Sequence, residues 1–350
     1  MKNKAIKISA LGLLFLFMIT FSACSNKELE DSSKPYIEET QLFMGTVCSV
    51  RIYDKQDPKY IKEAFKEIKD IENKMSINIL DSELSEVNKN AGKAPVKVSD
   101  KTFYVVEKGI DYSRSSKGNF DITIGPLVQL WDIGGDNPRV PMEDEINSAI
   151  SKIDYNNIEM DKNTNEIFLK KEGMVIDLGA IAKGYTADSI KDILLSNGVE
   201  KAIINMGGNV VVVGKNSKEE LWKIGIQDPT SPRGAYIGII DAEDKSIVTS
   251  GIYERFLEAN GVKYHHILNP FTGYPWESEI TGVTIVSEYS IDGDALSTTT
   301  FSLGVNEGLE FIESLDNVEA IFVTTDKNVY ITSGLKNNFR ISNQEFKLVN

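Results

Sequence analysis

The stretch G-V-T-I-V-S-E-Y-S-I-D-G-D-A-L-S-T-T-T, residues 282–300, passes from an apolar segment into one rich in carboxylates and hydroxyls. Its first six residues, 282–287, have the β-branched and apolar character of a strand. If a helix starts at about Asp294, then Asp294 and Thr298 stand four residues apart and direct their oxygens toward one spot. The stretch therefore predicts a strand that leads into a helix, with polar groups gathered near the junction.

Two interpretations of this polar segment are open at the level of sequence. Mg²⁺ and Ca²⁺ bind carboxylate and hydroxyl oxygens, so Asp294 and Thr298 can hold a hard cation. Alternatively, Asp292 or Asp294 is the N-cap of a helix that continues through Phe301 and Leu303. The first interpretation predicts chemistry at this position, and the second predicts only a helix start.

Outward from this stretch, strand patterns and helix patterns are mixed along the chain. The N-terminal part predicts an alternating strand over 41–53 and then a helix with Asp57 as N-cap and Pro58 at its first position. Further helices are predicted at 82–88, 100–113, 180–196 and 296–315. Strands are predicted at 166–170, 174–176, 201–204, 210–213, 222–226, 237–240, 282–287, 320–324 and 329–332. This mixture predicts an α+β fold with mixed or antiparallel sheets and flanking helices.

The chain begins with a pattern typical of a targeting segment. Three lysines fall within the first seven residues, an apolar run covers 10–21, and F-S-A-C ends at Cys24. This order resembles a lipoprotein signal, in which residues 1–23 are removed and Cys24 is lipidated; an ordinary signal peptide or an uncleaved anchor is the alternative. We expect a flexible tether over 24–36, one catalytic domain over 37–350, and a lipid-anchored protein on the extracytoplasmic side of the cell membrane.

Charge and cysteine content narrow the function classes. The formal net charge is −14, and removal of the signal would take away three lysines and no acid, so nucleic acid is not an expected partner. Cys48 is the only cysteine besides Cys24, so no internal disulfide is expected. His265 and His266 are adjacent and would face opposite sides of a strand, which favours oxygen ligands for any metal.

Two further stretches carry unusual side chains. In V-I-D-L-G-A-I-A-K-G-Y, residues 175–185, Lys183 lies near the start of a predicted helix, where a cation is misplaced unless an anion such as phosphate is nearby. The alternative is a solvated lysine above an Asp177 cap. In H-H-I-L-N-P-F-T-G-Y-P, residues 265–275, a histidine is either a general base or a side chain satisfied within the fold.

Taken together and in order, these stretches resemble the ApbE family of FAD:protein FMN transferases. The resemblance is carried by F-M-G-T (43–46), S-x-x-x-x-x-S-E-L-S-x-x-N (76–88), F-D-I-T-I-G-P-L-V (120–128), I-D-L-G-A-I-A-K-G-Y (176–185), N-M-G-G-N (205–209), H-H-I-L-N-P-x-T-G-Y-P (265–275) and D-A-L-S-T (294–298). It implies that FAD and Mg²⁺ bind, and that a Thr or Ser hydroxyl of an acceptor protein attacks the FMN phosphorus and releases AMP. The implied acceptor carries a D-G-x-[ST]-x-x-T motif.

The resemblance also implies roles for individual residues. Metal ligands would be Asp294, Thr298 and the backbone carbonyl of Ala180, and His266 would be the base. FAD contacts would come from Met44, Asn78, Asp121, Ile122, Thr123, Asp177, Lys183 and Ile267.

One position departs from the family pattern. Asn78 stands where many members have a tyrosine that stacks on FAD, so a looser site could admit water to the phosphorus. FAD hydrolysis to FMN and AMP is therefore one alternative, and a flavin-binding lipoprotein without turnover is another.

Overall fold

The computed structural model describes residues 35–350. The predicted signal peptide, Cys24 and most of the predicted tether lie outside these residues. The helices are α1 (Pro58–Met75), α2 (Glu83–Lys89), α3 (Asp100–Ser115), α4 (Gly125–Trp131), α5 (Glu143–Ile150), α6 (Ala182–Ser196) and α7 (Ser290–Glu313). The strands are β1 (Ile37–Phe43), β2 (Thr46–Ile52), β3 (Val96–Lys97), β4 (Ile158–Asp161), β5 (Glu166–Leu169), β6 (Ala202–Met206), β7 (Asn209–Val213), β8 (Trp222–Gln227), β9 (Tyr236–Ala242), β10 (Ser246–Gly251), β11 (Phe256–Ala259), β12 (Val262–His265), β13 (Ile280–Ser287), β14 (Glu319–Thr324), β15 (Asn328–Ile331), β16 (Phe339–Ile341) and β17 (Lys347–Leu348).

A nine-stranded sheet forms the centre of the described residues, in the order β1-β2-β6-β7-β10-β13-β14-β15-β17. All neighbouring strands in it are antiparallel except β15 and β17. Two three-stranded sheets, β16-β9-β8 and β3-β5-β4, and the β11–β12 ribbon accompany it. The described residues therefore have the α+β architecture with mixed and antiparallel sheets that the sequence predicts.

Alternating side chains of the central sheet enter different hydrophobic cores. On β7, Val211 and Val213 pack with the helical residues Ile190 and Phe65, whereas Val212 packs against the β16-β9-β8 sheet. The period of two along a strand explains this division. Helices α1, α6 and α7 thus cover one face of the nine-stranded sheet, and the β16-β9-β8 sheet covers the other.

The N-terminal part confirms one prediction and corrects another. Asp57 accepts a hydrogen bond from the Lys59 amide as the N-cap of α1, with Pro58 at the first position. The single strand predicted over 41–53 is wrong, because it is the hairpin β1–β2. Met44 and Gly45, both at positive φ, form its two-residue turn, while the alternation of side chains continues on either side.

Two other predicted elements also differ from the structure. The strand predicted at 174–176 is an isolated bridge between Val175 and Ile124. The predicted helix at 296–315 begins earlier, at Ser290, and is interrupted at Gly304, which has a φ of 75°. Within residues 35–350, no helix is long and apolar enough to cross a membrane.

Candidate active site

The N-terminal turns of helices α6 and α7 are joined by hydrogen bonds from backbone amides to carboxylates. The Asp294 carboxylate of α7 accepts from the Gly184 amide in the first turn of α6 at 2.9 Å. In the other direction, the Asp188 carboxylate of α6 accepts from the amides of Ser290 and Ile291 at 2.7 and 2.8 Å. Each helix therefore supplies a carboxylate that caps the other.

This arrangement corrects the helix-cap interpretation of the polar segment. Neither Asp292 nor Asp294 caps its own helix: Asp292 accepts from the Tyr112 hydroxyl at 2.6 Å, and the N-cap position of α7 is Tyr289. A Cβ added to Gly184 would lie 2.2 Å from the Ser290 carbonyl oxygen. Glycine is needed there because the two helices approach so closely.

Lys183 lies against the buried Asp294. Its ammonium group is 3.0 Å from Asp294 Oδ1 and also donates to the Gly179 carbonyl at 3.0 Å. Asp294 is only 2% exposed, so its charge is largely withdrawn from water and depends on such partners. The solvated-lysine alternative is therefore wrong for Lys183, which belongs to the polar centre of the site.

The oxygens around Asp294 fit a hard divalent cation. No residue between 35 and 350 donates a hydrogen bond to the Ala180 carbonyl, because the Gly184 amide turns to Asp294 instead. Thr298 lies one helical turn after Asp294 and is half-buried. The described residues contain no group of three or more His, Cys, Asp or Glu that could hold a metal. A cation here would thus use one carboxylate and neutral oxygens, which suits Mg²⁺.

The segment 121–123 lies beside Asp177. The Asp177 amide donates to the Ile122 carbonyl at 2.8 Å, and the Asp177 carboxylate accepts from the Gly179 amide at 2.7 Å. Burial raises the pKa of Asp177, whereas the positive charges of Lys183 and Arg255 lower it. Asp177 is therefore close enough to both cations for their charges to act on it.

The side chains of the 121–123 segment are engaged within the fold. Asp121 accepts from the amide and hydroxyl of Thr123, both at 2.7 Å, and from the Tyr155 amide at 3.2 Å. Burial raises its pKa. Ile122 is 1% exposed. These side chains are buried and shape the backbone next to Asp177.

The β1–β2 turn places Met44 beside the same centre. The Met44 amide donates to a Glu72 carboxylate oxygen at 2.5 Å, and the Thr186 hydroxyl of α6 lies 3.5 Å from the Met44 sulfur. The Gly45 carbonyl accepts from the Arg255 guanidinium at 3.0 Å. The turn thus makes polar contacts with α1, with α6 and with the loop before β11.

The two adjacent histidines have different hydrogen-bond partners. His265 Nε2 lies 2.9 Å from the Trp276 carbonyl, and its Nδ1 accepts from the Ile267 amide at 3.3 Å, so both nitrogens are used within the fold. His266 Nδ1 lies 3.1 Å from the Arg255 carbonyl. Because a carbonyl can only accept, Nδ1 of His266 carries the proton, and Nε2 of the neutral ring is an acceptor.

Burial keeps the His266 ring neutral. Burial, together with the smaller effects of the charges of Arg255, His265 and Lys183, lowers the pKa of His266 to about 4. The hydrogen bond to the Arg255 carbonyl opposes this shift. An unprotonated ring with a bare Nε2 can accept a proton, which is what a general base needs.

Asn78 and Ile267 lie at the edges of this arrangement. Asn78 is exposed in the loop after α1, and its amide donates to the Ser76 hydroxyl at 3.2 Å. Ile267 is 5% exposed and follows His266 directly. The structure thus brings Met44, Asp177, Lys183, His266 and Asp294 around one centre and leaves Asn78 in the solvent-facing loop.

Arg255 and Asp188 are site residues that sequence reasoning missed. Arg255 contacts the Gly45 turn through its guanidinium and His266 through its backbone carbonyl. Asp188 lies in the middle of α6, where an acidic residue looks like an ordinary surface position. The available signal for Arg255 was its position eleven residues before the candidate base His266; for Asp188 there was none, because its partners are distant in sequence.

This fold and site define a single α+β domain with an oxygen-rich centre beside a neutral histidine. The chain belongs to the ApbE family, whose sequence profile matches residues 44–322. A curated FAD:protein FMN transferase of Klebsiella pneumoniae (strain 342) is 37% identical over 292 residues, covering 83% of this chain and 90% of that protein. One of Treponema pallidum (strain Nichols) is 33% identical over 325 residues, covering 88% and 90%.

Solved structures give the same family assignment. The ApbE protein of Thermotoga maritima superposes with a TM-score of 0.81 at 29% identity, covering 87% of this chain and 99% of that one. The flavin transferase ApbE of Vibrio cholerae superposes with a TM-score of 0.78 at 26% identity, covering 87% and 100%. These comparisons confirm the predicted family and the predicted α+β fold class.

Proposed function

We propose that this chain transfers FMN from FAD to a Thr or Ser hydroxyl of an acceptor protein, through a phosphoester bond and with Mg²⁺. The family membership and the curated relatives, which are FAD:protein FMN transferases, support the transfer of FMN. The oxygen donors around Asp294 support the choice of Mg²⁺. Proteins with a D-G-x-[ST]-x-x-T motif are the proposed acceptors.

The observation that carries the proposal is the state of His266. Its Nδ1 donates to the Arg255 carbonyl, its Nε2 is free to accept a proton, and its pKa of about 4 keeps it neutral at physiological pH. Lys183 is close enough for its charge to affect His266. A base and a phosphate-binding cation therefore face one site, which is the arrangement that phosphoryl transfer to a hydroxyl requires.

In the proposed reaction the acceptor oxygen forms a bond to the FMN phosphorus, and the bond from that phosphorus to the AMP oxygen breaks. His266 Nε2 takes the hydroxyl proton, and AMP leaves with the bonding electron pair. Lys183 offsets negative charge on the phosphates. Asp294, Thr298 and the Ala180 carbonyl would hold Mg²⁺, which when bound would neutralise part of the pyrophosphate charge.

The same proposal assigns the FAD contacts. The adjoining positions of Lys183, Asp177 and the 121–123 backbone support this assignment. The proposed FAD contacts are Met44, Asn78, Asp121, Ile122, Thr123, Asp177, Lys183 and Ile267.

Hydrolysis of FAD is a second candidate activity, which the exposed Asn78 favours. The exposed Asn78 side chain is smaller than a tyrosine ring and would cover less of a bound ligand. Water could then compete with the acceptor hydroxyl for the phosphorus. The products would be FMN and AMP without modification of an acceptor.

We also propose that the protein is anchored to the cell membrane through a lipid on Cys24 and faces the extracytoplasmic side. The support is the order of lysines, apolar residues and small residues before Cys24. The polar segment after Cys24 would then act as a tether for the domain.

The test uses the purified domain with FAD, Mg²⁺ and a reporter protein that carries the acceptor motif. Wild-type enzyme should give a fluorescent, covalently flavinylated reporter in a denaturing gel. His266→Gln should lower the initial rate by about 100-fold or more, because general base catalysis is typically worth 10² to 10⁴. Glu258→Ala, an exposed change on the same β-ribbon, is the matched control and should retain the rate. A His266→Gln enzyme with the wild-type rate would refute the role of His266.

A further inference from the structure

Arg255 differs from the other arginines of the described chain. Five of the six arginines form a salt bridge with a carboxylate within 4.0 Å: Arg51 with Glu38, Arg114 with Asp111, Arg139 with Glu145, Arg233 with Glu254, and Arg340 with Asp241. Between residues 35 and 350, Arg255 has no such partner. In a chain with 52 acidic against 38 basic residues, an arginine without a carboxylate beside the base of the site calls for an explanation.

The Arg255 guanidinium is held in place without a salt bridge to any residue between 35 and 350, although its charge also acts on the carboxylate of Asp177. Nη2 donates to the Gly45 carbonyl at 3.0 Å, and the aliphatic part of the side chain packs near Gly134. The nearest acidic neighbour in sequence, Glu254, is bound to Arg233 at 2.8 Å. A guanidinium has five N–H donors, so Arg255 retains donors for an anion that comes from outside the chain.

Arg255 lies next to the proposed base. Its own carbonyl accepts from His266 Nδ1, and its positive charge acts on the His266 ring. Lys183 is already paired with Asp294 close to the proposed metal ligands, so its charge is engaged there. An anion bound by the Arg255 guanidinium would therefore lie near the group that His266 deprotonates.

The surface next to Arg255 is suited to a polypeptide. Leu42 and Val47 are cross-strand partners one pair behind the β1–β2 turn that Arg255 contacts, and they are 74% and 50% exposed. Phe256, the next residue along the chain, is 40% exposed, and the Lys263 ammonium lies 4.2 Å from its ring centroid. Exposed apolar side chains on the two segments that meet at Arg255 favour a protein-binding patch over a phosphate pocket.

We propose that Arg255 binds a carboxylate of the acceptor protein near its target hydroxyl, and so selects an acidic acceptor segment. This inference rests on the proposed transferase function. The guanidinium would form a charge-assisted pair with the acceptor, and Leu42, Val47 and Phe256 would pack beside it. Arg255 is thus a specificity-determining residue for the second substrate.

The test measures KM for FAD and for two reporters, one with the segment D-G-x-S-x-x-T and one with N-G-x-S-x-x-T. With the first reporter, Arg255→Gln should raise the acceptor KM by about 10-fold or more, as expected for loss of a charge-assisted hydrogen bond, and should raise the FAD KM less than about threefold. With the second reporter, wild type and Arg255→Gln should differ by less than about threefold. Arg114→Ala, an exposed arginine paired with Asp111, is the control.

A charge reversal separates direct pairing from a structural effect on the β1–β2 turn. Arg255→Glu should recover at least about fivefold in kcat/KM when the first residue of the reporter segment is changed from Asp to Lys. Equal increases in both KM values would assign Arg255 to FAD and overturn the proposal, as would an unchanged acceptor KM or a failure of the charge reversal. If the wild-type enzyme leaves the reporter unmodified, the proposed function itself is refuted.

Discussion

His265 and His266 are adjacent in sequence, yet hydrogen bonding gives them different tautomers. His265 donates from Nε2 to the Trp276 carbonyl, whereas His266 donates from Nδ1 to the Arg255 carbonyl. Only the second arrangement leaves Nε2 free for chemistry. The family resemblance limited the base to these two histidines, but the choice between them depends on backbone carbonyls that each lie eleven residues away.

The tautomers predict a distinct nuclear magnetic resonance spectrum. The chain has only two histidines, so an untagged, ¹⁵N-labelled protein gives two imidazole spin systems. At pH 6.5 both rings should be neutral, because burial lowers both pKa values, with the proton on Nε2 of His265 and on Nδ1 of His266. Lowering the pH should protonate His266 only near pH 4. A His266 ring that is half protonated at pH 6.5, or that carries its proton on Nε2, would contradict its role as a ready base.

The metal assignment predicts a large effect of Asp294→Asn. The amide is nearly isosteric and can still accept from the Gly184 amide, but it lacks the charge that a hard cation needs. Turnover should fall by about 100-fold or more, while the circular dichroism spectrum stays that of the folded protein. Normal turnover of this variant in millimolar EDTA would refute the metal assignment and leave Asp294 with a structural role only.

At the scale of elements, the reciprocal caps of α6 and α7 explain why helix boundaries were misjudged from sequence. Rules for helix starts look for a capping side chain just before the helix, and Tyr289 provides none. The cap of α7 comes instead from Asp188, about 100 residues earlier. Likewise, the alternation of side chains continued across the β1–β2 turn, so periodicity could not reveal the reversal at Met44 and Gly45.

The caps predict that Asp188→Ala weakens the α6–α7 junction. Loss of the two amide hydrogen bonds should lower the free energy of unfolding by about 1–2 kcal/mol, in the range of lost helix caps. Hydrogen exchange at the Ser290 and Ile291 amides should accelerate relative to the rest of α7. Asp192→Ala, an exposed acidic residue one turn later on α6, is the control and should change the free energy by less than about 0.5 kcal/mol. Unchanged exchange at both amides would refute the capping role.

At the scale of the whole molecule, the architecture was predictable because its strands carry strong β-branched patterns. Val210 to Val213 and Gly282 to Ser287 lie in adjoining regions of the central sheet, as β7 and β13 with β10 between them. Strand β10 was missed, since its residues from Ser246 to Gly251 mix polar and apolar types although it fills the middle of the sheet. Its place follows from its neighbours, which a single sequence does not show.

The predicted membrane anchor is tested at the level of the intact protein. Cys24→Ala should abolish incorporation of radiolabelled palmitate and leave a precursor that is not cleaved before position 24, because lipidation and cleavage of such signals require the cysteine thiol. The measurement is autoradiography together with the mass of the protein in the membrane fraction. Labelling of the variant at the wild-type level would refute the lipoprotein prediction.

The central claim is that the domain moves FMN to an acceptor hydroxyl and does not simply cleave FAD. The most direct measurement incubates the domain with FAD, Mg²⁺ and the reporter that carries D-G-x-S-x-x-T, and quantifies AMP by chromatography and reporter-bound FMN by intact mass. We predict one covalently bound FMN for each AMP released, located on the final Thr of the motif. Release of AMP with an equal amount of free FMN and an unmodified reporter would contradict this account and identify the domain as an FAD hydrolase.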